Sequence, residues 1–266
     1  MKKPLASEIG EMISKAARLK TRPLCIYGSE EPPAGAVPST SISSCVAEVV
    51  VALAIRDDTP VVYIGGGALE DCCGGGTSYL GFTQRSPHIK YFVSYGTKEF
   101  RNGAAEYLRA TPELVEENAR RIGKITPPGK YVVVKPCADL SEVDPEPLSI
   151  LLFGEPEQIR VLCALVHFRS SDPFEEVLAP SGPSCASFIT YASGMAENAP
   201  KNSAILGPFD PTGNRWFPPE LMSIALPMDL ARRMYDDLPS SFLAKRAAVA
   251  FPQKRIPVKS PKRFTR

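Results

Sequence analysis

Ser44-Cys45-Val46-Ala47-Glu48-Val49-Val50-Val51-Ala52-Leu53-Ala54-Ile55-Arg56, followed after four residues by Val61-Val62-Tyr63-Ile64-Gly65-Gly66-Gly67, sets the reading of this chain. The first run is apolar nearly all round, as a buried helix is. The second is a short apolar strand that runs into glycine, where a positive φ or a close backbone approach is expected. Glu70-Asp71-Cys72-Cys73-Gly74-Gly75-Gly76-Thr77-Ser78-Tyr79-Leu80-Gly81-Phe82 comes next and reads as a glycine loop with two adjacent thiols at its mouth. A helix, a strand and a glycine loop in succession point to a mixed α/β fold with a site wall at the loop.

The flanking chain supplies more of the same. Ser7–Lys20 is predicted as an amphipathic helix capped by Ser7 and ended by Arg22-Pro23. Leu24–Tyr27 follows as a strand, then a proline and glycine loop over 30–39. Tyr91–Tyr95 is read as a strand, Thr111–Gly123 as a surface helix, and Lys130–Val134 and Ser149–Phe153 as strands. Glu155–Phe168 is a helix, Ser184-Cys185 opens another, and Asn202–Leu206 is a strand. Asp210–Arg215 is a turn, Leu221–Leu226 a strand and Pro227–Leu238 a helix. Residues 239–266 are expected to form a loosely held basic tail after a single domain over 1–238.

Sliding the sequence by about 140 residues brings Ser184-Cys185 onto Ser44-Cys45 and Ser203–Pro208 onto Val61–Gly66. Cys45 to Cys73 spans 28 positions and Cys185 to Asn214 spans 29. We therefore expect one compact α/β (mixed α+β) domain of two pseudo-repeats, about 21–82 and 148–227, packed about a twofold axis. Chance recurrence of helix–strand–glycine units is the alternative.

Length and composition set limits. The chain's 266 residues, 44% hydrophobic and 23% charged, suffice for a full core. Its 27 prolines imply many short elements joined by fixed turns. No apolar run approaches the roughly 18–20 residues of a membrane span, and the start lacks the pattern of a secretion signal. A cytoplasmic protein is expected. Seven scattered cysteines do not make a secreted disulfide scaffold. Cys25 and Cys163 read as core filler. From Leu238 onward there are eight basic residues and no acidic one, against a net charge of +2, so the body carries about −6. The tail reads as a solvated extension or a docking segment for a protein partner. With an acidic body and few interleaved aromatics, it argues against nucleic acid.

Two Ser-Cys helix starts would each place a thiol where unpaired amides and the helix dipole favour a thiolate. With Cys72 and Cys73 on the loop, Cys45, Cys73, Cys185 and Cys72 are the candidate metal ligands, for an iron–sulfur cluster or zinc. No Cys-x-x-Cys pair supports this, and His88 and His167 offer no triad. Glu70, Asp71, Asp210 and Tyr79 are left for acid–base work. The rival reading needs no metal. Backbone amides at Gly74 and Gly75, with Arg22, Asn214 and Arg215, would hold a small anionic ligand. A second rival is a structural or interaction subunit. No phosphate loop or dinucleotide motif is present.

Several pieces of the chain are similar to a known family. These are Arg22-Pro23 before a strand, Ser44-Cys45-Val46-Ala47, and Cys73-Gly74-Gly75 with Tyr79-Leu80-Gly81. Further on they are Tyr131–Pro136, Gly154-Glu155-Pro156-Glu157-Gln158, Ser184-Cys185 and Leu226-Pro227. Together, from about Thr21 to Leu238, they resemble the domain of unknown function 169 family, found mostly in anaerobic bacteria and archaea. The family's pattern includes cysteines at Cys45, Cys73 and Cys185 but implies no reaction. Whether the protein is an enzyme stays open at this point. Redox chemistry or cofactor handling at a sulfur centre is the leading expectation.

Overall fold

The computed structural model describes residues 4–211, 217–245 and 251. In chain order the elements are α1 (Ala6–Ala17), β1 (Leu24–Ser29), β2 (Val37–Pro38), α2 (Val46–Ile55), β3 (Val62–Gly65), α3 (Gly74–Tyr79), α4 (Ile89–Val93) and α5 (Pro112–Ile122). Then come β4 (Tyr131–Pro136), β5 (Ser149–Gly154), α6 (Pro156–Val166), β6 (Val177–Leu178), β7 (Ala204–Gly207), β8 (Met222–Pro227), α7 (Met228–Asp237) and α8 (Phe242–Lys245). Short 3-10 turns link several of them, and Ala186–Thr190 is one turn of π-helix.

The strands join in one mixed sheet in the order β2-β3-β4-β1-β5-β8-β7-β6. β1 and β5 form its antiparallel centre, with Cys25 opposite Ile150. Outward from that centre, each side runs through two antiparallel pairings and ends in a parallel one, β2 with β3 and β6 with β7. The sheet is covered on both faces, which is why its central strands read as unbroken apolar runs instead of alternating ones. Leu24, Ile26, Val132, Val134, Leu151 and Phe153 pack with α2 and the π-turn on one face. Cys25, Ile150, Leu152, Ile224 and Leu226 pack with α1, α6 and α7 on the other.

Local chemistry explains most boundaries. Thr111 caps α5 by accepting the Leu114 amide at 3.4 Å, with Pro112 in its first turn. Glu155 and Gln158 make a reciprocal capping box on α6. Gly65 (φ 147°) and Gly66 (φ 61°) take the positive φ expected of them. A Cβ on Gly65 would lie 2.4 Å from the Lys130 carbonyl oxygen.

Four expectations are corrected. Ser7 is not the cap of α1; Leu5 holds that position without a side-chain bond. Tyr91–Tyr95 is not a strand: Ile89–Val93 is a helical turn, with the Tyr91 and Phe92 amides donating to the His88 carbonyl and Lys90 reaching Glu116 of α5 at 2.5 Å. Gly74–Gly76 do not form a loop but open α3, where the Cys73 sulfur accepts the Gly76 amide. The chain past Pro239 does not come loose at once, since α8 buries Leu243 against the α1/α7 face. Residues 246–250 and 252–266, most of the predicted basic tail, lie outside the described residues. Among the described residues no helix is long and apolar enough to cross a membrane.

Candidate functional site

Helix α2 begins at the edge of the sheet face that it covers, with Cys45 as its N-cap residue. Helix α3 begins beside it. The Cys73 amide donates to the Ser44 carbonyl at 2.8 Å, and the Cys73 sulfur accepts the Gly76 amide at 3.3 Å. Gly76 is glycine for a packing reason: a Cβ there would meet Val46 Cγ2 at 2.8 Å and the Cys73 sulfur at 3.0 Å. The two helix starts are thereby pressed together, and their thiols with them.

Cys73 is the middle of a sulfur trio. The thiols of Cys45 and Cys72 both act on it as donors, and this holds its pKa well below the ordinary thiol value. The Val46 and Gly76 amides add to that effect. The same contacts push Cys45 and Cys72 up, since each keeps its proton to give to Cys73; burial reinforces this in both. Near Cys45 the Glu48 and Ala47 amides favour a thiolate without making a capping hydrogen bond, while Ser39 does the same for Cys72. All three cysteines are half-buried, so the trio is reachable from solvent.

Cys185 approaches from the second half of the chain, near enough for the charge of Cys73 to act on it. It lies at the start of the π-turn, buried, and burial raises its pKa, with the charges of Cys73 and Asp210 adding to the rise. The π-turn is tied to α3 by Thr190, whose hydroxyl donates to the Tyr79 carbonyl. Around this junction stand groups that composition and spacing gave no means of finding. Arg85 stacks over the Tyr79 ring at 4.2 Å, and Arg109 donates to the Ser181 hydroxyl. Burial raises the Tyr79 phenol, Arg85 and Arg109 lower it, and Cys185 and Asp210 raise it. Asp210 also accepts the Ser184 amide at 3.3 Å.

Of the anion-binding set predicted from sequence, Arg22 lies apart from the thiols. Arg22 is engaged at the opposite end of α2: its guanidinium donates to the Leu53 carbonyl at 2.6 Å and to the Arg56 carbonyl, and it faces Asp57 at 3.8 Å. Ten helical residues, about 15 Å, separate it from the thiols. Gly74 and Gly75 lie in the first turn of α3 with open space beside them. Asn214 and Arg215 lie outside the described residues. Glu70 and Asp71 are exposed. Two surface hollows, of about 530 and 370 Å³, open elsewhere and are lined by none of the four cysteines.

An all-sulfur donor set suits a soft metal or a cluster by its chemistry. Its present arrangement is not a ready cage: among the described residues, no group of three or more His, Cys, Asp or Glu side chains is disposed to hold a metal ion. Cys45 and Cys72 are engaged with Cys73 itself and would have to turn from it to share a bound atom.

The profile of the domain of unknown function 169 family, DUF169, described as Uncharacterised ArCR, matches residues 12–237. The chain belongs to this family, and the match takes in the second half of α1 as well as the region where the resemblance was read. No curated protein and no solved structure matches the chain.

Proposed function

We propose that the Cys45–Cys72–Cys73 trio is a sulfur centre that binds a thiophilic metal ion or an iron–sulfur cluster, with Cys185 as the fourth ligand. One observation carries this reading. The 2.8 Å bond from the Cys73 amide to the Ser44 carbonyl sets Cys73 and its neighbour Cys72 beside Cys45, and the contacts of both thiols with Cys73 push its pKa down. A bound soft metal would supply electron transfer or Lewis acidity; the protein's part is to present thiolates and to desolvate one side of the site through α2 and the π-turn. The like pairing order on the two sides of the β1–β5 pair supports, as a further part of this proposal, descent of the two halves from one duplicated unit.

Anaerobic purification followed by metal and sulfide analysis tests the reading. Stoichiometric zinc or iron, lost in Cys73→Ala, is the expected result. Metal-free protein that takes up neither zinc nor iron with sulfide, and shows unchanged absorbance, overturns it.

A second reading is favoured by Arg85 and Arg109, which both act on Tyr79 beside Cys185 and Asp210. Two guanidinium groups near one phenol suit a small carboxylate or phosphate. Thermal shift with a panel of such anions, compared between the native chain and Arg85→Ala or Arg109→Ala, distinguishes it: stabilisation that vanishes in either variant supports an anion site.

A further inference from the structure

On the other face of the sheet, away from the sulfur trio, two more cysteines meet. Cys25 lies in β1 and Cys137 just past the end of β4, 112 positions later, and both are fully buried. Their sulfurs are 2.6 Å apart. Packed non-bonded heavy atoms usually approach to about 3.5–4.0 Å, so nothing fits between these two. The backbone on each side is fixed by the sheet: Cys25 pairs with Lys135, and the Cys137 amide donates to the Pro23 carbonyl at 2.8 Å. The pair is therefore held face to face by the ladder, not by a flexible loop. Both thiols are free in this structure.

We infer that Cys25 and Cys137 are a dithiol–disulfide redox pair, oxidised by low-molecular-weight disulfides. The thiolate of one cysteine attacks the external disulfide, forming a mixed disulfide and releasing one thiolate. The second cysteine then attacks the protein sulfur of that mixed disulfide and releases the other. Two electrons and two protons leave the pair, and the external disulfide becomes two thiols.

Helix α1 is the cover over this pair. Gly10 passes so close that a Cβ on it would lie 2.7 Å from the Cys137 sulfur. Burial pushes the Cys137 thiol up, which keeps the covered pair inert. Reaction with an oxidant requires α1 to lift, and closure of α1 then shields the disulfide from reductant. The pair belongs to a different face from the proposed metal centre, so failure of either proposal leaves the other standing.

The test uses the full chain incubated with oxidised glutathione, folded in one sample and unfolded in urea in the other. Both are then trapped with N-ethylmaleimide in denaturant and digested for mass spectrometry. The expected principal product from folded protein is the Cys25 peptide joined to the Cys137 peptide. Its share of the oxidised product should be on the order of tenfold or more above that in urea, because the fold supplies the proximity once α1 has lifted. On a non-reducing gel the oxidised chain should run faster, and reductant or Cys137→Ala should abolish the shift. A Cys72→Ser/Cys73→Ser variant removes the vicinal competitor and should retain the cross-link. Cys25 and Cys137 recovered singly alkylated from folded protein after oxidation is complete, or joined to each other in no greater share than in urea, would overturn the assignment.

Discussion

The Cys73 amide donates to the Ser44 carbonyl at 2.8 Å, fixing the residue that caps α3 to the residue preceding the cap of α2. Everything proposed for the trio depends on that joint. Gly76 is the residue that lets the helices close on it, since its missing side chain leaves room for Val46. Gly76→Ala should destabilise the fold by about 1–3 kcal/mol through overpacking. Gly75→Ala meets nothing within 4 Å and should be neutral or stabilising, by roughly 0.5–1 kcal/mol from lost chain entropy. Urea denaturation of the two variants checks the contrast; equal effects would contradict the packing account.

Thiol reactivity should sort the cysteines. In metal-free protein, pulsed alkylation at neutral pH should label Cys73 before Cys45 and Cys72, because Cys45 first, then Cys72, favour its thiolate. Removing the first donor in Cys45→Ala should move the pH midpoint of Cys73 labelling upward. Peptide mass spectrometry across a pH series reads this directly, and a Cys73 midpoint unmoved by the substitution would remove Cys45 as its donor.

The strand core was legible in the sequence. β1, β3, β4, β5, β7 and β8 were each marked by short apolar runs, and all six ended within two residues of where they were expected. α6 was equally plain from its apolar stripe, and α2 from an apolar run too long for a strand. What failed was whatever depended on long-range partners. Nothing local says that Gly74–Gly76 are helical, because the cap on Cys73 and the seat on Val46 are made only when α2 arrives. Arg22 was misread for the same reason: a lone arginine beside a strand does not announce that it will close the C-terminal carbonyls of another helix. Arg85 and Arg109 sit in stretches with no motif, and only the fold brings them to Tyr79. Cys25 was correctly placed in the core, but its partner lies 112 residues away and no spacing rule links them.

Arg22→Ala should therefore act on stability and not on ligand binding. Losing charged hydrogen bonds to the Leu53 and Arg56 carbonyls should cost about 1.5–3 kcal/mol. Denaturant titration should show that loss while the alkylation order of the trio stays as it was. A changed order with unchanged stability would return Arg22 to the site.

Asp144 gives a pH-dependent prediction. Burial alone would raise its carboxyl, but Lys135 at 2.8 Å, the Ser141 amide and hydroxyl and the Tyr27 hydroxyl bring it down from 3.8 to about 2. A folded value below the unfolded one means the carboxylate stabilises the protein above pH of about 4, and that contribution is lost as the pH falls through about 2. Asp144→Asn should cost about 1–2 kcal/mol at neutral pH. The gap from the native chain should close below pH of about 2; a gap that persists there would mean the loss is one of packing.

The two outermost strands, β2 and β6, are each two residues long, and Pro38 occupies one of the four positions. A flat, lengthy border of unpaired amides and carbonyls invites another chain to extend the sheet, whereas a stub interrupted by proline offers almost no template. This eight-stranded sheet therefore ends on both sides in borders that resist edge-to-edge aggregation, even though its interior strands are among the most apolar stretches of the chain.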